Sequence, residues 1–170
     1  MIDLMEPTLR IWVAGTDDYP LVEGLMREYV DWLPFDVNDF QDVEREMADV
    51  AAEYGPPKGL AVLAALGVDL AGVAGVRRIS SGVAELKRMW VRPPARRRGV
   101  GRWLADRAIA EARARGYRSV RLDTVSDVMS EANHLYESLG FTDISPYRIN
   151  PLPAARFMEL DLEEDQTEAI

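Results

Sequence analysis

Val91-Arg92-Pro93-Pro94-Ala95-Arg96-Arg97-Arg98-Gly99-Val100-Gly101-Arg102 joins an apolar run, Val83 to Val91, to a helix-forming stretch, Gly101 to Arg115. The first backbone N–H groups of a helix have no intrahelical partners, and with the positive end of the helix dipole they attract anions. A loop of arginine and glycine just before that terminus adds charge and opens space, because side chains at Gly99 and Gly101 would obstruct the close approach of a diphosphate. The plain alternative is a tight turn with solvated arginines, and spacing alone does not separate the two. Other phosphate-binding patterns fail on inspection. No Lys-Ser or Lys-Thr follows Gly101, as a Walker loop requires, and Leu104 stands where a dinucleotide fingerprint has its third glycine.

The charge around this loop is divided along the chain. From Arg77 to Arg121 there are 14 Lys and Arg against 3 acidic residues, a balance of +11, while the rest has 6 against 26, so the net charge of -9 conceals a basic middle third. A basic segment can face nucleic acid, an anionic membrane or a phosphorylated small molecule. The acidic remainder repels extended polyanions, which favours a compact polyphosphate and argues against nucleic acid and membrane partners.

Working outward, Thr8 to Ala14 alternates as a strand, and Thr16-Asp17-Asp18 caps a helix that runs to about Leu33 and stops at Pro34. A second helix is expected from about Asp39 to Tyr54, ended by Gly55-Pro56-Pro57. Leu60 to Leu66, Leu70 to Ile79 and Val83 to Val91 are apolar runs joined by short Gly-containing turns, which predicts an antiparallel meander. After the helix from Gly101 to Arg115 come a strand, Ser119 to Val125, a short helix, Ser130 to Leu139, and a closing strand, Arg156 to Leu162, with an acidic tail, 163–170, expected to fray. This order, βααβββαβαβ, predicts one three-layer α+β domain across 1–170, core about 8–162, with helices on both faces of a mixed, mainly antiparallel sheet.

Composition excludes several chemistries. The 170 residues are 48% hydrophobic, enough for one core, yet no run approaches the roughly 18 apolar residues that cross a bilayer. Met1 to Pro7 has no basic start followed by an apolar stretch, so a cytoplasmic protein is expected. Cysteine is absent and His134, read as a surface residue, is the one histidine, which removes thiol nucleophiles, His-based triads and most transition-metal sites.

Two motifs carry a resemblance. Arg96-x-x-Gly99-x-Gly101 is similar to the acyl-CoA pyrophosphate loop of the GNAT family of N-acetyltransferases, written Arg or Gln-x-x-Gly-x-Gly or Ala, and Leu86 to Pro93 resembles the strand that leads into it. Forty residues on, Ala132-x-x-Leu135-Tyr136-Glu137-x-Leu139-Gly140-Phe141 resembles the family's later motif. One departure is visible: many members have glycine just after the first arginine of the loop, where this chain has Arg97.

The resemblance implies the acyl-CoA N-acyltransferase fold and direct transfer of acetyl from acetyl-CoA, a co-substrate, to a primary amine in a ternary complex without a metal. It places the cofactor's phosphates against Arg96, Arg97, Arg98, Gly99, Val100, Gly101 and Arg102, and makes Met89, Trp90 and Val91 cofactor-binding, with a backbone N–H near Met89 or Trp90 on the thioester carbonyl oxygen and Asn133 bonding cofactor or acceptor. The basic middle third suits the roughly four negative charges of coenzyme A. Tyr136 takes the place of the general acid that protonates the departing thiolate, beside a plain packing role. Glu85, eleven positions before Arg96, takes the place of the general base used in the histone-acetylating branch. Its plain reading is an ion pair with a cross-strand cation such as Lys87 or Arg78.

Two other classes stand beside the enzyme: a module of the same fold that senses acyl-CoA without turnover, and a nucleic-acid binder using Arg96, Arg97 and Arg98, which the surrounding acidity opposes. The acceptor is a small molecule or a peptide. Acidic residues in the first two helices, Glu23, Glu28, Asp31, Asp36, Asp39 and Asp42, favour a cationic amine, and a homodimer is compatible with a sequence that carries no signal for assembly.

Overall fold

The computed structural model describes residues 6–163, so most of the expected 163–170 tail lies outside the described residues. The strands are β1 (Leu9–Val13), β2 (Gly59–Leu66), β3 (Asp69–Ser80), β4 (Val83–Val91), β5 (Ser119–Val125), β6 (Thr142–Asp143) and β7 (Ala155–Asp161). The helices are α1 (Tyr19–Trp32), α2 (Val43–Ala48), α3 (Val50–Tyr54), α4 (Val100–Ala114) and α5 (Ser130–Ser138). The sheet has seven strands in the order β1-β2-β3-β4-β5-β7-β6, and every pairing is antiparallel except β4 with β5.

Alternation along the strands sends side chains to two cores, one on each face. Val62, Ala64, Leu86 and Leu122 pack under α4 and α5 with Leu104, Ala108 and Phe141. Leu63, Val73 and Trp90 pack under α1 to α3 with Leu25, Met26, Met47 and Tyr54. Each wholly buried leucine contributes about 1.5–3 kcal/mol of transfer free energy. The result is the expected three-layer arrangement, a mixed and mainly antiparallel sheet between helical layers.

Two elements differ from their sequence reading. The helix expected from Asp39 to Tyr54 is a 3-10 turn, Val37–Asp39, followed by two short helices. Asp49 breaks it: its backbone turns to φ -145°, ψ 72° and its side chain accepts a hydrogen bond from the Ala52 N–H, starting a new helix where the first would have continued. Asp42 does the same for Arg45 at the start of α2. The second difference is β6, two residues that pair with Glu159 and Met158 of β7 and are too short to show alternation.

The feature that positions the site lies between the central strands. β4 and β5 pair only over Val83–Glu85 and Ser119–Arg121, and beyond those residues they part. β5 keeps its other edge on β7 throughout, and β4 keeps β3, so the sheet opens along one seam and stays closed elsewhere. No helix among the described residues is long and apolar enough to cross a membrane.

Candidate active site

Where β4 and β5 part, a cavity of about 530 Å³ runs through the seam. Its walls include Leu86 to Val91 of β4 and Leu122 to Val125 of β5, and the β5-facing backbone edge of that β4 segment has no strand partner among the described residues. The N-terminus of α4 and the first turns of α5 contribute to the lining, and so do Tyr29 and Trp32 of α1 and Phe35, Phe40 and Gln41 before α2. A bulge in β4 shapes the middle. The register against β3 shifts between Val73 and Gly75, and Arg88 adopts φ 55°, so consecutive residues Lys87 and Arg88 both reach Glu46 of α2.

At the α4 end the loop turns back through a 3-10 turn, Pro93–Ala95. Arg96 is folded inward: its Nε–H donates to the Val91 carbonyl (3.1 Å), and its guanidinium lies 4.9 Å from the Trp90 ring centroid and 5.7 Å from that of Trp32. Arg97 has φ 61°, the left-handed backbone that glycine adopts without strain, at the position where many GNAT sequences have glycine. Gly99, the residue before α4, has φ 77°. A Cβ on Gly99 would touch only Trp103, at 3.7 Å, so its glycine answers to backbone conformation. A Cβ on Gly101 would rest on Leu135 and Val91 at 3.6 and 3.7 Å, ordinary contacts inside the seam. The first hydrogen bond of α4 runs from the Trp103 N–H to the Gly99 carbonyl, 3.1 Å, which leaves the N–H groups of Val100, Gly101 and Arg102 ahead of the helical ladder.

Of the residues singled out from sequence, Met89, Trp90, Val91, Arg96, Arg97, Gly99, Val100, Gly101 and Tyr136 line the cavity, and Arg98, Arg102, Asn133 and Glu85 do not. Tyr136 is 8% exposed, packs edge-on against Phe141 with ring centroids 5.8 Å apart, and has no hydrogen-bond partner for its hydroxyl among the described residues. Burial, then the fields of Tyr29 and Asp123, hold its phenol well above the ordinary range, so it stays protonated at neutral pH. Arg98 is exposed, and Arg102 donates to Ser138 Oγ at 3.2 Å. His134 is exposed. Asn133, read as lying on an exposed turn, is 5% exposed; its Nδ2 is 3.5 Å from the Ser126 carbonyl, and its Oδ1 is buried without a partner. The short-helix geometry turns it under the 126–129 loop and away from the seam.

Glu85 is not brought to the cavity. It sits directly opposite Arg77 of β3 and is wholly buried, accepting from Arg77 Nε at 3.2 Å, Tyr147 Oη at 2.8 Å and Arg148 Nη1 at 3.3 Å. Its pairing partner is thus a cross-strand arginine, reinforced by a loop 62 residues away in sequence. Nor do the acidic residues of the first helices face the seam. Glu23 pairs with Arg27, Glu28 holds Arg92 and the Trp90 indole, and Asp36 and Asp42 cap local turns, so none lines the cavity.

Sequence reasoning missed the buried charges on the α1–α3 face. Glu46 of α2 accepts from Arg88 Nε and Nη2, both at 2.9 Å, and from Tyr54 Oη at 2.6 Å. Burial alone would raise its pKa; the hydrogen bonds and charge of Arg88, with help from Lys87 and Tyr54, hold it down at about 2. Lys87 lines the cavity, and burial together with the nearby Arg88 and Arg77 draws its pKa to about 7. Asp123 of β5 lines it too, held by Arg148 and by Asn150 Nδ2 at 3.1 Å. The bulge that gathers Lys87 and Arg88 depends on pairing with β3, so no local pattern announces it. Among the described residues no group of three or more His, Asp or Glu could hold a metal ion.

Comparison with known proteins fits this geometry. The chain is 35% identical over 148 residues to an uncharacterized N-acetyltransferase of Schizosaccharomyces pombe, 86% of this chain and 88% of that one. It is 32% identical over 145 residues to an IAA acetyltransferase of Azospirillum brasilense, 84% and 88% of the two chains. Among solved structures, yncA of Salmonella typhimurium, determined with its cofactor acetyl-CoA, superposes with a TM-score of 0.66 at 20% identity, over 92% of this chain and 95% of that one, a likeness of fold. The model of the acetyltransferase (GNAT) family matches residues 22–141, and the chain belongs to that family.

Proposed function

We propose that the protein transfers acetyl from acetyl-CoA to a primary amine, directly and within a ternary complex. The observation that carries this reading is the open seam between β4 and β5, one cavity lined by the amide-rich start of α4, by Tyr136 and by the aromatic residues Tyr29, Trp32, Phe35 and Phe40. The residues fit an acyl-CoA: free N–H groups at the start of α4 and the cavity-lining Arg97 suit a diphosphate, and the unpartnered β4 edge suits an amide-bearing arm that adds to it like a strand. When bound, acetyl-CoA supplies an activated thioester.

The chain's own groups supply the rest. Backbone N–H groups at the β4 bulge, near Met89 and Trp90, are placed to polarise the thioester carbonyl. Formation of the amide N–C bond breaks the C–S bond, the amine loses a proton and the thiolate takes one. Tyr136, protonated at neutral pH and lining the seam, is the donor for sulfur. Glu85, buried in ion pairs away from the seam, is assigned to holding β4 to the 147–148 segment. The carboxylates that do line the seam are Asp123, held by Arg148, and Glu131 at the start of α5.

The experiment is free-thiol release from acetyl-CoA across a panel of amines, run beside calorimetric titration of acetyl-CoA. Amine-dependent release supports the enzyme; tight binding with no release across the panel identifies an acyl-CoA sensor.

A further inference from the structure

Among the described residues, Lys87 is the one cation of the α1–α3 network without a hydrogen bond. Arg88 is matched bidentately by Glu46, and Arg77 donates to Glu85 at 3.2 Å and to Glu53 at 3.3 Å. Arg148 holds Glu85 and Asp123 together, and Lys58 donates to Glu53 at 2.8 Å. Lys87 donates to none of these carboxylates. Its one ion pair, to Glu46 Oε2, is 3.9 Å long, and that oxygen already accepts from Arg88 at 2.9 Å. Its side chain is 8% exposed, and it lines the seam cavity, whose walls also include Tyr29, Phe35, Phe40 and Gln41. A buried ammonium surplus to its network is costly unless an anion meets it.

From this we infer that the acceptor amine carries a carboxylate that pairs with Lys87, with an apolar body against Phe35 and Phe40: a small amino acid rather than a polyamine or other cation. The inference rests on the acetyl-transfer reading and names its substrate class. Three observations converge on it. Lys87 lines the seam cavity and is not on the surface; the acidic side chains of α1 and the segment after it do not line it, and of the two carboxylates that do, Asp123 is taken up by Arg148 and Asn150 and Glu131 is exposed at the start of α5; and a volume of about 530 Å³, shared with the arm of the co-substrate, leaves room for a small molecule. Gln41 lines the same wall, already accepting from Arg88 Nη2 at 2.9 Å, which leaves its amide N–H groups for a second contact to the carboxylate. A site built around a buried charge rejects analogues that lack its counterpart, because the charge is then left unpaired.

The test compares matched ligands on CoA-saturated protein by calorimetry: N-acetyl-L-phenylalanine against N-acetyl-2-phenylethylamine, and N-acetyl-L-leucine against N-acetyl-3-methylbutylamine. Acetylated probes remove differences in amine ionisation, so each pair differs by the carboxylate alone. The native protein is expected to bind each carboxylated probe about 10-fold or more tightly than its partner. Lys87→Met should bring each pair within about 3-fold, and Lys87→Arg should keep a preference. Equal binding within the pairs, no measurable binding of either N-acetylamino acid, or a preference unaltered in Lys87→Met overturns the inference. A carboxylate preference on the native protein stands even if Lys87→Met folds poorly. Thiol release from acetyl-CoA with phenylalanine, leucine and their decarboxylated partners then separates the two readings. Carboxylate-dependent binding without release keeps the site and refutes acetyl transfer. A Lys87→Met defect confined to kcat and equal for both members of a pair makes Lys87 a proton acceptor and refutes carboxylate recognition.

Discussion

Arg97 shows at a single residue how the loop trades conformation against charge. Its left-handed backbone costs an L-residue about 1–2 kcal/mol, which glycine at the same place would avoid. Arg97→Gly should therefore melt no lower than the native protein, yet bind acetyl-CoA several-fold more weakly and with a smaller salt dependence, as thermal melting and salt-titrated calorimetry would show. Unchanged affinity would return Arg97 to the solvent. Gly99→Val acts the other way: at φ 77° a branched residue strains the entry to α4, so acetyl-CoA affinity should fall by about an order of magnitude or more in a protein that still folds. Unchanged affinity would remove this loop from the phosphate site. Lys87 answers to pH. Burial lowers its pKa most, Arg88 and Arg77 lower it further, Glu46 and Glu85 partly oppose them, and the folded value of about 7 lies below the usual 10.5. Between those values the unfolded chain binds more protons, so this residue adds stability as pH rises from about 7 and penalises the fold below it. Lys87→Met should accordingly melt higher than the native protein at pH 6, with the advantage shrinking toward pH 10; a native protein that melts higher at every pH would contradict this. By the same logic a carboxylate ligand should bind more weakly as pH rises from 6 to 8.

Among the elements, β4 carries the largest share of the account, because its first three residues pair with β5 and its last six wall the seam. Glu85 sits at the point of divergence. If it is a brace, Glu85→Gln should lower the melting temperature while leaving kcat/KM and its pH profile close to native; loss of the limb that rises with pH would restore it as the base. Across the face, α2 is tied to β4 through Glu46. Its folded pKa of about 2, below the usual 4.5, means its contribution is complete above about 4.5 and is lost as pH falls toward 2. Such a shift corresponds to roughly 3 kcal/mol. Glu46→Gln should lose most of that at pH 7 and little near pH 2, measured by denaturant melts at both. The meander and α4 were legible because apolar runs, Gly turns and three- and four-residue spacing are local signals. The break at Asp49 was not, since a capping aspartate and a mid-helix aspartate look alike until the backbone is seen to turn. The Glu85 ion pair was legible only as one of two readings, because Tyr147 and Arg148 arrive from a loop with no periodicity to place it.

Over the whole molecule, the division of charge read from sequence takes on a spatial meaning. Part of the basic middle third is tied up by the protein's own groups, with Arg77 and Arg88 matched by buried carboxylates, Arg92 by the part-exposed Glu28, and Arg96 turned onto Trp90. What remains beside the α4 terminus is a smaller cationic patch, suited to one compact polyphosphate. The cavity-lining residues legible from sequence were those that the loop and the Leu135-Tyr136 motif display locally; Lys87, Gln41 and Asp123, which line the same cavity, were not, because three separate elements supply them. The central claim is that this seam performs acetyl transfer with Tyr136 as the proton donor, and Tyr136→Phe tests it most directly. The ring, its contact with Phe141 and its burial remain, so the melting temperature should hold; one hydroxyl is lost. Under conditions where chemistry limits the rate, kcat should fall by about 100-fold, with acetyl-CoA affinity unchanged. A variant equally stable that keeps more than about half of the native kcat would contradict the claim and leave Tyr136 as a packing residue.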